Sequence, residues 1–412
     1  MRIRVTPYKV LLFLLIGICL TYALNSIHTE AMLACGVLGL VVVWLTEYRM
    51  LSKDSRRLVL LSALLLGLII LYKLVGISSC STDSIGVYID WTVVLLFAVY
   101  MANADFTDGE RYFFVLLLYG LIMIQLITAI ASGRAIMARG SRYTVTLRIT
   151  EFGSMAMFFS AACLIWFLND YRLRNRALAI LGILASLYVV FVIQQRLIND
   201  FCTVALLALI LLNNNKRKKF VYVLYFLAIG VLIWIYVTRA YIPILNYLIK
   251  NASTVRIANR LQDVKDFLLT GNLMEEGRFS GRSDLMKLSL TSWTRNPLTI
   301  LIGVGDHRGR NAIVGNHSEY IDMLARYGLL GASLVAATTV YTIKFLLSFG
   351  GKRTKVYLQV GAVALMFVIR NFLGIVSVYQ VAFPMLIFLQ MVIRLCDSDQ
   401  NRAVLANALL NR

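Results

Sequence analysis

The sequence predicts an all-α polytopic membrane protein with about 12 transmembrane helices, a large extracytoplasmic loop and a short cytoplasmic tail. Three observations carry this. Of 412 residues, 59% are hydrophobic and only 15% charged, far from the balance of a soluble domain. Apolar runs of membrane-crossing length recur along the chain. Cationic residues gather in alternate connections between those runs.

The runs fall at approximately 8–25, 31–47, 57–77, 87–104, 112–131, 152–169, 176–194, 199–213, 219–239, 320–348, 356–371 and 374–395. The first lacks a small-residue cleavage site and reads as an anchor, not a cleavable signal peptide. Arg2, Arg4 and Lys9 precede it, Arg49, Lys53, Arg56 and Arg57 fill the second connection, and Arg172, Arg174 and Arg176 fill the sixth. Lys216–Lys219 occupies the eighth connection, and Lys352, Arg353 and Lys355 the tenth. Both termini are therefore expected inside, with residues 1–239 forming helices 1–9, 240–318 an outer loop, and 319–412 helices 10–12 and the tail. The formal charge of +20 is a matter of topology here and does not imply a nucleic-acid partner. Six cysteines, Cys19, Cys35, Cys80, Cys163, Cys202 and Cys396, lie mostly inside apolar runs with no CxxC pair, as small buried hydrophobes do.

The outward segments break the charge rule, and they do so with arginine. The fifth connection carries Arg134, Arg139, Arg142 and Arg148, and the seventh carries Arg196 in VIQQRLIND. The ninth carries Arg256, Arg260, Arg278, Arg282, Arg295, Arg308 and Arg310. Guanidinium grips phosphate oxygens in bidentate fashion, so arginine on the outer side points to an anion site. The plainer reading is contact with lipid headgroups. Arg196, at the edge of the hydrocarbon, is costly enough to imply a function, although Asp200 four residues on offers a simple partner. Arg370 in VIRNFLG is a similar, weaker case.

Within the outer loop, residues 255–269 (VRIANRLQDVKDFLL) have the periodicity of an amphipathic surface helix. Residues 283–295 predict a second helix, begun by Ser280 or Ser283 and ended before Pro297. Arg282 then sits at or just before a helix N-terminus, where free N–H groups also attract anions. The stretch from Gly281 to Gly331 holds His307 and His317, two of the three histidines in the chain. Asn316 and Glu319 have capping-box spacing, which makes Glu319 a cap before it is a catalyst. His317 is expected in the first turn of that helix, with Tyr320, Leu324 and Tyr327 below it on one face. The positive end of the helix dipole keeps such an imidazole neutral, as a general base must be. GVGDHRGR has neither the spacing nor the lysine of a phosphate loop. Asp397-Ser398-Asp399 resembles a metal-holding DxD pair, but its polar flanks and inner position read as a solvated tail.

Arg282, Trp293, Asn296-Pro297, Gly303-Val304-Gly305 and then His317-Ser318-Glu319-Tyr320, Leu324 and Gly328 follow one another in a recognisable order. Together they resemble the bacterial O-antigen polymerase (Wzy-type) and O-antigen ligase superfamily, in a motif of about fifty residues within a similar overall topology. Gln195-Arg196 stands where that family often has Ser-Arg, serine follows the histidine where asparagine is common, and TLRITEFGS around Arg148 matches a family arginine segment loosely.

The resemblance implies a GT-C-like fold in the bacterial cytoplasmic (inner) membrane, with its active site on the outer face. It implies a metal-independent, inverting glycosyltransferase that needs no cofactor. The donor would be a glycan on undecaprenyl pyrophosphate, and the acceptor a hydroxyl of another lipid-linked repeat unit. His317 would be the general base. Arg196 and Arg282 would hold the pyrophosphate, with Arg148, Arg278 and Tyr320 as further substrate-binding candidates. Implied partners are lipid-linked oligosaccharide and polysaccharide, membrane lipids, a chain-length regulator and a flippase. A ligase passing polymer to lipid A or another acceptor is the alternative within the superfamily. A secondary transporter is the remote one, disfavoured by the missing repeated halves and the scarcity of acidic residues in the spans.

Overall fold

Backbone N–H and C=O groups in so apolar a chain have to be satisfied internally, which leaves helices as the natural element. Every regular element among the described residues is helical. The computed structural model describes residues 52–75, 106–139, 146–170, 172–194, 197–214, 238–251, 278–305, 318–348, 354–372 and 385–396, with scattered positions between them that include 314 and 315. At 132–139, 146–152 and 278–284 the description is of the backbone. The expected spans 8–25, 31–47 and 219–239, the segment 255–269 and the Asp397–Asp399 pair lie wholly or largely outside these residues.

The continuous helices among the described residues are α1 (Lys53–Leu74), α2 (Asp108–Arg139), α3 (Thr146–Asn169), α4 (Leu173–Tyr188), α5 (Leu197–Leu212), α6 (Tyr241–Lys250), α7 (Arg278–Trp293), α8 (Pro297–Ile302), α9 (Glu319–Ser348) and α10 (Thr354–Phe372), followed by α11 (Met385–Cys396). Among the described residues, four stretches are long and apolar enough to cross a membrane: Lys53–Leu74, Asp108–Ala131, Leu173–Ile193 and Tyr320–Ser348. Gly153–Asn169, Asn199–Leu212 and Met385–Cys396 are apolar but shorter. Leu60, Leu71, Leu74, Ile124, Leu184 and Phe201 stay exposed, as side chains facing lipid would be.

The core is aromatic and aliphatic, built on Trp166, Phe158, Phe159, Phe114, Phe367 and Phe388, all fully buried. Small residues bring helices together. Ala179, Gly182 and Ser186 are buried along one face of α4, and a Cβ on Gly182 would stand 2.7 Å from Cys163 Sγ of α3. This is how membrane helices approach closely without a hydrophobic driving force between them.

Hydrogen bonds at opposite ends fix the directions of the helices. Asn169 at the end of α3 donates to Gln359 near the start of α10 (3.0 Å), and Asn213 after α5 donates to the Leu358 carbonyl (3.4 Å). At the other end, Arg370 Nε donates to Asn199 Oδ1 in the first turn of α5 (3.0 Å). So α3 and α5 run parallel and α10 runs against them. Arg57 in α1 donates to Tyr341 Oη in α9 (3.1 Å), and Tyr72 Oη, late in α1, donates to the Ile302 carbonyl. One end of the bundle therefore gathers Arg57, Tyr341, Asn169 and Gln359. The opposite end gathers Tyr72, Arg370, the first turns of α3 and α5, and the start of α9.

The first end also holds a buried polar knot. Asp170, 2% exposed, accepts from Trp166 Nε1 (3.0 Å), Asn175 Nδ2 (2.7 Å) and the Arg172 amide (2.8 Å). Asn175 Oδ1 in turn accepts from Tyr112 Oη of α2 (3.0 Å). Every acceptor of this carboxylate is occupied, which is what allows a charged side chain to stay among helices.

Candidate functional site

The second end of the bundle is assembled from three pieces, and the sequence explains each. The first is the pair α7 and α8. Trp293 closes α7, and the chain restarts at Asn296-Pro297 by a capping box. Asn296 Oδ1 accepts from the Thr299 amide (2.8 Å), and Thr299 Oγ1 accepts from the Asn296 amide (3.0 Å). Pro297 fills the first helical position, where no N–H is needed. Trp293 Nε1 donates to the Ile300 carbonyl (3.0 Å), folding α8 back onto α7. The tryptophan and the Asn-Pro pair thus have a complete structural explanation.

The second piece is a break in α9. Gly328 has φ 60° and ψ −160° inside an otherwise continuous helix. The Gly303-Val304-Gly305 segment sits against the broken turn. Val304 N–H donates to the Ala325 carbonyl and Gly305 N–H to the Arg326 carbonyl, both at 2.8 Å. These bonds satisfy two carbonyls that the interrupted ladder would leave bare. Only glycine fits here. A Cβ on Gly303 (φ 78°) would lie 2.3 Å from the Arg326 carbonyl oxygen, and one on Gly328 2.4 Å from the Leu301 carbonyl. Tyr327 is buried at the break, its ring edge-on to Tyr72 at 5.2 Å, which ties the joint to α1.

The third piece flanks residues 316 and 317. The Gly315 amide donates to Ser289 Oγ of α7 (2.9 Å), and Ser289 Oγ donates to Asp322 Oδ1 of α9 (2.7 Å). Asp322 Oδ2 accepts from the Ser318 amide (2.9 Å). Ser289, Ser318 and Asp322 are all buried. A Cβ on Gly315 would lie 2.1 Å from the Leu285 carbonyl oxygen, so glycine is required for this backbone to lie directly on α7. The Asp322 amide donates to the Ser318 carbonyl (2.8 Å), which makes Ser318 the N-cap of α9.

The residues singled out from sequence fall as follows. His317 and Asn316 lie outside the described residues, between the described Gly315 and Ser318. The described part of α9 begins at Glu319, so the expectation that His317 occupies its first turn falls on a residue outside the description. The expected Asn316–Glu319 box rests on side chains outside the description; Asp322, one turn in, reaches back to the Ser318 amide. Arg196 and Gln195 lie outside the described residues, between the π-helical segment Val189–Gln194 and α5. Single π-turns often mark functional stretches.

Arg282 is within α7, which begins at Arg278. The expected start at Ser280 or Ser283 is thus corrected, and with it the placing of Arg282 at the helix terminus. The polar Arg278–Ser283 stretch extends the helix because it holds no proline to stop it. Positions 278, 282, 285 and 289 follow the i, i+4, i+7, i+11 spacing of a single helix face. Ser289 and Leu285 meet the 315–322 segment, so Arg282 lies on the same face about 10 Å along the axis, and Arg278 about 16 Å along it.

Arg148 lies in the first turn of α3, at the same end of the bundle. Arg370 is buried there and bonded to Asn199, three residues beyond Arg196. Tyr320 is half-buried and packs against the apolar core. Among the described residues no group of three or more His, Cys, Asp or Glu side chains comes together as a metal site.

No protein-family model and no curated protein matches this chain.

Asp322 and Ser289 are the site residues that sequence reasoning missed. The signal was an acid four residues after a serine at a helix start. A hydroxyl in the preceding helix pairs with it only in three dimensions.

Proposed function

We propose that this chain is a polysaccharide polymerase: a membrane glycosyltransferase that moves a growing glycan from undecaprenyl pyrophosphate to the acceptor hydroxyl of another lipid-linked repeat unit. The observation that carries the reading is the convergence at one end of the bundle. The arginine face of α7, the first turn of α3, the α5 start beside Arg196, buried Arg370 and both flanks of His317 all lie there. Elements that carry arginine, meeting around the two flanks of a scarce histidine, suit a reaction that expels a polyanion.

In that reaction the acceptor oxygen attacks the anomeric carbon from the face opposite the leaving group. The bond from that carbon to the pyrophosphate oxygen breaks, and the electron pair leaves with the pyrophosphate. An imidazole nitrogen of His317 takes the hydroxyl proton, and the configuration at carbon inverts. Arg196, Arg282, Arg148 and Arg278 neutralise the pyrophosphate, whose departing charge needs preorganised cations more than covalent help. Tyr320 is a further candidate contact for the substrate. This reading keeps the twelve-span, GT-C-like topology and an outward-facing site in the bacterial inner membrane. The arginine-poor first outer loops and the lysine-bearing connections at the opposite end support that orientation.

The test is polymer formation in liposomes, with lipid-linked oligosaccharide extracted from the source cells. His317→Ala is expected to lower turnover by about 10²–10⁴-fold, the usual contribution of a general base. Arg196→Ala and Arg282→Ala are expected to shorten the glycan ladder to single units. A ladder that survives His317→Ala would remove that histidine from the chemistry. No ladder from wild type, with polymer passed instead to lipid A when it is supplied, would make the chain a ligase.

A further inference from the structure

We infer that Asp322 is a positioning residue for the transfer, fixing to α7 the backbone on either side of residues 316 and 317; this rests on the polymerase reading above. The geometry is specific. The two carboxylate oxygens of Asp322 act on the two sides of residues 316–317. Oδ2 takes the Ser318 amide directly (2.9 Å). Oδ1 takes the Ser289 hydroxyl (2.7 Å), whose oxygen receives the Gly315 amide (2.9 Å). A single side chain thus fixes the backbone immediately before and immediately after the dipeptide, and through Ser289 it ties Gly315 to α7, the helix whose sequence carries Arg278 and Arg282.

Two further features support a device built for position. Asp322 is 2% exposed and Ser289 fully buried, so these bonds do not compete with water. Gly315 lies so close to the Leu285 carbonyl that no side chain fits, so the backbone at 315 rests directly on α7. A carboxylate is suited to the task because it accepts at both oxygens and donates at neither. Holding a base against a bound acceptor is worth much in rate, since a misplacement of about 1 Å can cost about 10²-fold.

The test uses full-length protein in liposomes with extracted lipid-linked oligosaccharide, comparing wild type, Asp322→Ala, Asp322→Asn, Ser289→Ala, His317→Ala and the Asp322→Ala/His317→Ala double variant. Asp322→Ala is expected to lower kcat about 10²-fold while KM for the donor changes little. Ser289→Ala, which removes the bridge between Asp322 and Gly315 but leaves the Asp322–Ser318 bond, is expected to lower it about tenfold and serves if Asp322→Ala does not fold. Asp322→Asn, which still accepts from Ser318, recovers a large part of the loss. In the His317→Ala background, Asp322→Ala is expected to add nothing, because residues acting as one unit are not additive.

A full further loss in the double variant, or undiminished kcat in both Asp322→Ala and Ser289→Ala, would overturn the positioning role and leave the polymerase reading standing. A wild type that makes no polymer, or a fully active His317→Ala, would overturn both.

Discussion

At the residue scale, the strongest constraints fall on Gly303 and Gly328, where the backbone adopts positive φ and two segments meet without side chains between them. An alanine at either position faces a strained dihedral and a carbonyl closer than any Cβ tolerates. Gly303→Ala and Gly328→Ala are each expected to cost about 1–3 kcal/mol or more, because the neighbouring atoms are backbone and cannot turn aside. Thermal unfolding of detergent-solubilised protein, followed by loss of the monodisperse peak, measures this. Unchanged midpoints in both would mean that the interlock at the broken helix is not as tight as described. The consequence for function is direct, since this joint sets the level at which α9 begins and hence where its cap turn sits.

At the scale of elements, α3 and α4 are held by small residues, and their closeness is testable with a compensating pair. Gly182→Ala is expected to destabilise by about 1–3 kcal/mol, since overpacking forces neighbours off their rotamers. Cys163→Ala in the same background removes the atom it strikes, Sγ at 2.7 Å, and is expected to restore a good part of the loss. The Asp170 knot makes a second case. Asp170→Ala leaves Trp166, Asn175 and the Arg172 amide without their acceptor, and buried donors so orphaned cost about 1–3 kcal/mol each. That variant is expected to fold poorly in vesicles while leaving no trace on substrate preference, because the knot lies at the far end of the bundle from Arg370 and the start of α9. A changed donor preference in Asp170→Ala protein that does fold would contradict this separation of the two ends.

For the whole molecule, the prediction concerns sidedness. Thr294 and Arg174 are both exposed and lie at opposite ends of the bundle. In a background with the native cysteines replaced, Thr294→Cys should react with a membrane-impermeant maleimide in intact spheroplasts. Arg174→Cys should react only after lysis. The reverse pattern would put the arginine end in the cytoplasm, where a flipped lipid-linked donor is absent, and would sink the polymerase reading. Both ends of the bundle are cationic, but they differ in kind: lysine mixes with arginine in the connections at one end, whereas arginine predominates at the other.

Much of this was legible in the chain itself. Composition and apolar run length determined that the molecule is helical and suited to a membrane, because a backbone without water must bond to itself. Alternating cationic connections predicted which loops share an end, and the helix directions agree for Arg57, Arg172 and the segments adjoining 352–355. Glycine, tryptophan and the Asn-Pro pair marked the turn-rich stretch. Periodicity could not reveal that Gly328 breaks α9, since apolar spacing runs on through the break. It could not place the helix starts at Arg278 and Glu319, because the residues just outside each boundary are as polar as those just inside. Nor could it pair Ser289 with Asp322 or Arg370 with Asn199. Those bonds join positions far apart in sequence, and only the packing of α7 on α9 and of α10 on α5 brings the donors within reach of their acceptors.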